Sequence, residues 1–245
     1  MNDVSENALL GGRVRLLQPS KGHRAGTDAV LLSAAAPLEA GIVVFDVGAA
    51  TGAVGLMAAA RARVHVVFVE RDPALAELCR KNLALNALDG EVAVADILDP
   101  ASRRSAGLHA RSADCVLTNP PFLEEGRARL SPHAGRAAAH VLPADGLEAW
   151  VKACAGLLKH GGRFVLVHRA DRVGDCLTAL GKGFGGVGLR FVHPRKDEPA
   201  TRLLLTAVKG SRAPLTVAPP LILHEGSGRF TPEVEKLHRG EAALA

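Results

Sequence analysis

The sequence contains no tyrosine. Any site pattern that calls for that ring must use another aromatic residue. Aromatics of every kind make up 3% of the chain, with seven phenylalanines and one tryptophan. Cysteine is scarce too. Cys79, Cys115, Cys154 and Cys176 are widely spaced, with no CxxC pair and no Cys/His ligand spacing, which argues against a structural zinc. Such cysteines behave as small buried apolar residues in a reducing compartment. No apolar run is long enough to span a bilayer. Met1-Asn2-Asp3-Val4-Ser5-Glu6 is acidic and polar, unlike a signal peptide. A cytoplasmic protein is expected. There is no internal repeat and no low-complexity segment; the alanine-rich runs read as good helix formers.

What is present is globular in composition. The chain has 245 residues, 48% hydrophobic and 22% charged, enough for a sizeable core in one α/β domain. Its formal net charge of +5 permits a polyanionic partner but does not demand one. The distribution says more. Arg103, Arg104, Arg111, Arg127, Arg129 and Arg136 crowd around Asn119-Pro120-Pro121-Phe122. Lys159, Arg163, Arg169, Arg172, Lys182, Arg190, Arg195, Lys196 and Arg202 follow, with few acids between them. Any one of these is equally well a solvated surface arginine.

Residues 1–11 read as frayed, and Gly12 to Gln18 as an edge strand or hairpin. Thr27 or Asp28 is a good N-cap for an apolar helix through Ala36, which Pro37 ends. Strand and helix then alternate. Strands are predicted at Ile42 to Val47, Val64 to Val69, Glu91 to Ala95 and Ala113 to Thr118. Helices are predicted at Ala53 to Ala62 and from Pro73, at a first helical position, through Leu85. Asp145 caps a helix through Leu158, with Gly161-Gly162 after it, and Arg163 to Val167 form a fifth strand. Leu189 to His193 and Leu203 to Val208 suggest an antiparallel pair at the sheet edge. Residues 219–224 read as an extended tail, and Pro232 opens a short final helix. The pattern argues for a doubly wound, mostly parallel, seven-stranded α/β sheet with right-handed crossovers. The expected division is an N-terminal extension, 1–37, and a main domain with a C-terminal tail, 38–245.

Four strand ends carry chemistry. Asp46-Val47-Gly48-Ala49-Ala50-Thr51-Gly52 puts an acid at the end of a buried strand and glycines in the turn after it, where backbone can approach a ligand closely. Ala50 sits where a G-x-G-x-x-G fingerprint needs its middle glycine. Glu70 ends the next strand and could accept hydrogen bonds from both hydroxyls of a ribose. Asp96 repeats the geometry one strand on and could accept from an adenine amine. Read singly, each has an ordinary explanation: a tight α/β turn, a solvated acid in Glu70-Arg71-Asp72, a helix cap at Asp96. The fourth is Asn119-Pro120-Pro121-Phe122. Two prolines stop the strand and fix its backbone, holding an amide side chain, rigid carbonyls and an aromatic face where open α/β sheets bind ligands. That set suits a planar base or amide carrying an NH2 group.

Together these residues resemble the class I S-adenosylmethionine-dependent methyltransferases, and among them the amino-group methylases with (Asn/Asp)-Pro-Pro-(Tyr/Phe/Trp). The resemblance covers roughly residues 12 to 210. The whole chain is most similar to the bacterial valine-tRNA adenine-N6 methyltransferases. Gly22-His23-Arg24-Ala25-Gly26-Thr27-Asp28 and the helix after it resemble their pre-sheet segment, which covers the cofactor. Leu223 to Glu233 resembles their C-terminal segment. Two departures stand out: Ala50 replaces the usual second glycine, and Phe122 replaces a tyrosine common in other branches.

The resemblance implies a Rossmann-like fold and S-adenosyl-L-methionine as cofactor. It implies cofactor contacts at Gly26, Thr27, Asp46, Gly48, Ala49, Gly52, Glu70, Arg71, Asp96, Ile97 and Asn119, and no metal. Asn119, Pro120 and Phe122 would be catalytic. The Asn119 side-chain oxygen and the Pro120 carbonyl would accept the two N–H bonds of an exocyclic amine, steadying the charge that develops on it. Phe122 would stack on the flipped base. No general base is required before transfer; His133 and His140 read as solvated loop residues. Arg127, Arg129 and Arg136 would meet tRNA phosphates. The alternatives are a protein glutamine amide, guanine in ribosomal RNA, and a non-catalytic RNA-binding scaffold. Glutamine methylases carry an N-terminal helical domain that the short leader does not supply. A nicotinamide dehydrogenase has no role for the Asn-Pro-Pro-Phe turn.

Overall fold

The computed structural model describes residues 4–21, 24–121, 123–124, 141–142, 146–226 and 228–244. The expectation of a frayed start is overturned. Strands β1 (Val4–Leu9) and β2 (Val14–Pro19) form an antiparallel hairpin, in register from Val4–Pro19 to Leu9–Val14. Residues 4–9 are poor strand formers by themselves. What orders them is their partner, which buries Val14, Leu16 and Gln18.

Helix α1 (Thr27–Ala34) is capped by Gly26, not by Thr27 or Asp28. Asp28 instead pairs with Arg202 at 2.9 Å. Then come β3 (Val43–Val47), α2 (Ala53–Arg61), β4 (His65–Glu70) and α3 (Pro73–Leu85). Asp72 caps α3 by accepting from the Ala74 and Leu75 amides, and Pro73 occupies the first turn. After β5 (Gly90–Val94), a short helix not anticipated from sequence, α4 (Pro100–Ser105), starts in the same way from Asp99. The strand β6 (Ala113–Thr118) has its predicted bounds. Two-residue strands β7 (Leu123–Glu124) and β8 (Val141–Leu142) pair in parallel beyond it.

Helix α5 (Gly146–Leu157) runs directly into β9 (Leu158–Arg169). The Gly161-Gly162 pair is therefore inside a long strand and does not separate two elements. Lys209 makes the abrupt change tolerable, because its ammonium donates to the Ala155 and Leu158 carbonyls at 2.5 and 2.7 Å. Helix α6 (Val173–Leu180), also unanticipated, leads to β10 (Phe184–His193) and β11 (Arg202–Lys209). Short strands β12 (Thr216–Val217) and β13 (Leu221–Ile222) and helix α7 (Pro232–Arg239) complete the chain.

The main sheet has nine strands in the order β12-β10-β11-β9-β6-β3-β4-β5, with β13 also on β10. Without the two-residue β12 and β13, seven strands remain, the number expected. Strands β5, β4, β3, β6 and β9 are mutually parallel, and β11 runs antiparallel between β9 and β10. Strand order reverses between β3 and β6, so a crevice opens at their carboxyl ends. Both faces are covered. One cluster joins α1, α2, the hairpin and α7 through Leu16, Leu31, Leu56, Phe68 and Val234. The other joins α5 and α6 through Trp150, Leu157, Phe164 and Cys176. Burial of each large apolar side chain contributes about 1.5–3 kcal/mol. All four cysteines are free and buried, and burial pushes the Cys115 and Cys176 thiols up to about 12.

Candidate functional site

Because β3, β4, β5 and β6 are parallel neighbours, the acids and the amide predicted at their ends share one edge of the sheet. The turn after β3 is tightly determined. The Gly48 and Ala49 amides both donate to the Val69 carbonyl, at 2.9 and 3.1 Å, and Gly52 donates to Ala49 at 2.7 Å. Gly48 and Gly52 have φ of 76° and 88°, in the left-handed region that favours glycine. A Cβ on Gly52 would lie 2.6 Å from the Cys79 sulfur, so packing as well as backbone conformation requires glycine there. A Cβ on Gly48 would lie 3.2 Å from the Trp150 ring.

Asp46 is 2% exposed and turns toward α2, where it accepts from the Gly55 amide at 2.8 Å. It thus caps the first turn of α2 from the adjoining strand. Burial pushes its carboxyl up to about 7, the Glu70 charge adds to the rise, and the Gly55 bond opposes it. Glu70 reaches under the turn. One oxygen accepts from Ala50 N and the other from Asp72 N, both at 2.8 Å. A carboxylate has about four acceptor positions, so each oxygen keeps room for one more donor. That capacity fits the two hydroxyls of a ribose.

Ala95 donates to the Glu70 carbonyl at 2.9 Å, which brings the end of β5 beside that of β4. Asp96 accepts from Leu98 N at 2.8 Å, and its own amide donates to the Ser102 hydroxyl at 3.0 Å. Ile97 is buried, and Arg103 donates to its carbonyl. Arg71 is exposed just past Glu70.

At the acceptor side, Thr118 pairs in register with Val47 and donates its hydroxyl to the Val47 carbonyl at 2.8 Å. The Trp150 indole N–H donates to the same hydroxyl at 2.9 Å. One hydroxyl therefore joins β3, β6 and α5 directly behind Asn119. The Asn119 side-chain oxygen is buried and has no hydrogen-bond partner among the described residues. A buried acceptor left unpaired costs about 1–3 kcal/mol, so the free protein holds it there at the expense of stability. Pro120 is buried beside it. Phe122, Arg127, Arg129, His133, Arg136 and His140 lie outside the described residues.

The structure brings Asp46, Gly48, Ala49, Glu70, Asp96 and Asn119 to one edge. Gly26 caps and Thr27 starts α1, which packs on α2 and reaches β6 and β9. Sequence reasoning missed Thr118, Trp150 and Asn82. The only signals were a solitary tryptophan and an asparagine on the apolar stripe Ala76, Cys79, Asn82. Neither indicates its partner. Among the described residues no cluster of three or more His, Cys, Asp or Glu could hold a metal. No described helix is long and apolar enough to cross a membrane.

Ala50, the departure from the glycine pattern, has φ of 49°, unfavourable for any residue with a Cβ. Ala50→Gly is expected to stabilise the protein by about 1 kcal/mol, relief of strain outweighing the added freedom of the unfolded chain. The melting temperature should rise by about 2–4 °C. A lower melting temperature would contradict the strain.

Known proteins resemble this chain in sequence and fold. Residues 24–190 match the methyltransferase small domain family. The curated tRNA1(Val) (adenine(37)-N6)-methyltransferase of Shewanella amazonensis is 32% identical over 190 residues, 76% of this chain and 78% of the relative. A predicted O-methyltransferase of Agrobacterium tumefaciens superposes with a TM-score of 0.75 at 35% identity, covering 89% of this chain and 98% of that one. The T. thermophilus 16S rRNA N2 methyltransferase, solved with AdoMet and guanosine, superposes with a TM-score of 0.59 at 26% identity. That match covers 84% of this chain and 50% of the other.

Proposed function

The chain belongs to the methyltransferase small domain family, and from that premise we propose that it methylates the N6 amine of an adenine in tRNA. The enzyme is an S-adenosylmethionine-dependent methyltransferase. When bound, the cofactor supplies a sulfonium methyl group. In this reading Glu70 receives the ribose hydroxyls, Asp96 and Ile97 the adenine, and the turn Gly48 to Gly52 the rest. Gly26 and Thr27 cover it, and Arg71 borders it.

One observation carries the acceptor assignment: the buried Asn119 oxygen at the end of β6, which has no partner among the described residues. Such an atom calls for an N–H or O–H donor from the substrate. An exocyclic amine has two N–H bonds, one for Asn119 and one for the Pro120 carbonyl, which prolines hold rigid and free of ladder bonds. Both bonds strengthen as the nitrogen becomes positive, which is where stabilisation accelerates transfer. Phe122 would stack on the base. The Agrobacterium protein is described as acting on oxygen. An oxygen acceptor has a single O–H and leaves one of the two carbonyls unfilled; an amine fills both and, once methylated, releases its extra proton to solvent.

The tRNA assignment rests on the Shewanella relative and on the arginines after the turn. Arg169, Arg172, Arg195 and Arg202 already hold Asp171, Asp175, Glu198 and Asp28. Phosphate contact is assigned to Arg127, Arg129 and Arg136 because they follow the acceptor turn directly in sequence. A tRNA substrate would place the protein in the cytoplasm. The test is incubation with labelled S-adenosylmethionine and total RNA from a strain lacking the gene, then digestion to nucleosides. N6-methyladenosine in tRNA is expected. Methylguanosine or a ribose O-methyl label would overturn the base or the atom. Label only on protein would overturn the substrate class.

A further inference from the structure

The hairpin β1–β2 stands apart from the main sheet, yet its backbone reaches the cofactor turn through one side chain. Asn82 on α3 is fully buried. Its oxygen accepts from Leu17 N at 2.7 Å, and its amide nitrogen donates to the Leu17 carbonyl at 2.8 Å. The same nitrogen donates to the Thr51 carbonyl at 2.9 Å, inside the turn from Gly48 to Gly52. These three bonds use both amide hydrogens and the oxygen. One helical turn on, Asn86 grips Arg15 in the same two-point way, at 2.8 and 2.7 Å. Four residues of helix rise about 6 Å and two of strand about 6.6 Å, so the two amides match alternate residues of β2. Helix α3 thus acts as a substitute neighbour strand. The two asparagines differ in one respect. The remaining Asn86 bond returns to its own helix, at the Asn82 carbonyl, whereas the remaining Asn82 bond enters the cofactor turn.

A second contact leaves the hairpin on the other side. Gln18 is 3% exposed; it accepts from Ala25 N and donates to the Asn7 side chain, both at 2.9 Å. Arg24 donates to the same Asn7 oxygen at 2.7 Å. Ala25 leads straight into Gly26 and Thr27. Two segments assigned to the cofactor are therefore fastened to one hairpin.

We infer that the β1–β2 hairpin is a positioning element of the cofactor site, acting through Asn82 on the glycine turn and through Gln18 on residues 24–27. The inference rests on the cofactor assignment made above. Asn82 touches no reacting atom; it fixes the carbonyl of Thr51 and so the plane of the Thr51–Gly52 peptide, which carries the Gly52 amide. The amides of Gly48, Ala49, Ala50 and Gly52 are already bonded within the turn and to β4; the Asn82 bond is the side-chain contact that ties the turn's far end, at Thr51, to α3 and the hairpin.

The test compares Asn82→Ala, Gln18→Ala and Asn86→Ala in the full chain. S-adenosylmethionine affinity is measured by calorimetry, with Trp150, the only tryptophan, reporting the turn by fluorescence from beside Gly48. Asn82→Ala should weaken binding about tenfold and Gln18→Ala about threefold, with kcat at saturating cofactor within about twofold. Asn86→Ala, which loses the same grip on the hairpin but no link to the turn, should leave affinity unchanged and the Trp150 spectrum as in the wild type. Equal weakening by Asn82→Ala and Asn86→Ala, or none by Asn82→Ala, overturns the inference. Should Asn82→Ala fail to fold, Asn82→Asp replaces it. Its carboxyl can donate to Thr51 only while protonated, so affinity should fall as pH rises, relative to wild type; a constant ratio overturns the inference. Failure of the wild type itself to bind would remove the cofactor assignment, and this inference with it.

Discussion

Asn119→Ala lowers kcat for methyl transfer by about 10²–10³-fold, the usual cost of removing one donor or acceptor placed for developing charge. The dissociation constant for S-adenosylmethionine should stay within about threefold, because Asn119 is one of eleven proposed cofactor contacts and most of the others lie at the ends of β3, β4 and β5. The same change should raise the melting temperature. The Asn119 oxygen is buried without a partner among the described residues, and its removal should relieve about 1–3 kcal/mol of desolvation cost. Loss of activity with gain of stability is the signature of a group held ready for a substrate. Asn119→Asp keeps an acceptor at the same place and should retain measurable transfer. Single-turnover methylation, calorimetry and a thermal scan check all three points. Near-normal transfer by Asn119→Ala would remove Asn119 from the mechanism.

The second large effect is expected at Asp46. Its carboxyl is pushed up to about 7 from an ordinary 3.8, chiefly by burial. The folded-state value lies above the unfolded one, so the stability it contributes is fully present below about pH 4. That stability is lost as pH rises through about 7. Asn at this position keeps an oxygen for the Gly55 amide and cannot ionise. Asp46→Asn should therefore be more stable than wild type at pH 8, by on the order of 2–4 kcal/mol. In melting temperature that is about 5–10 °C for a chain of this size. The difference should vanish near pH 4. Parallel melting curves of the two proteins across pH 4–8 would contradict the buried carboxylate. Function pays the other side: the cofactor carries net positive charge, so loss of the carboxylate should weaken its binding about tenfold at pH 8.

Much of the scaffold was legible in the chain because the signals are local. Asp72 and Pro73 start α3 where an N-cap and a first-turn proline must. Ala113 to Thr118 is an apolar run stopped by two prolines, and its bounds are those read from sequence. The acids at the strand ends could be aligned because parallel strands joined by helices bring successive carboxyl ends to one edge. Residues 4–9 were misread because their order comes from β2, and that of β2 from two asparagines 65 and 71 positions away. The glycine pair 161–162 was read as lying between helix and strand but lies inside β9, which starts at Leu158 because Lys209, far along the chain, satisfies the helix end.

The sequence by itself determined the alternation of strand and helix, the turn glycines, the acids at three strand ends and the rigid amide at the fourth. Those depend on steric limits of single residues and on spacing, which sequence records directly. Only the tertiary structure decided that Asp46 faces α2 while Glu70 braces the turn, that Thr118 and Trp150 join donor and acceptor edges, and that Asn82 ties the hairpin to the cofactor turn. Each of those is a hydrogen bond between groups distant in the chain, made because burial leaves a polar atom no water to turn to. Asn119 shows both sides: its place was written in the prolines that follow it, and the burial of its oxygen, without a partner among the described residues, appeared only in the tertiary structure.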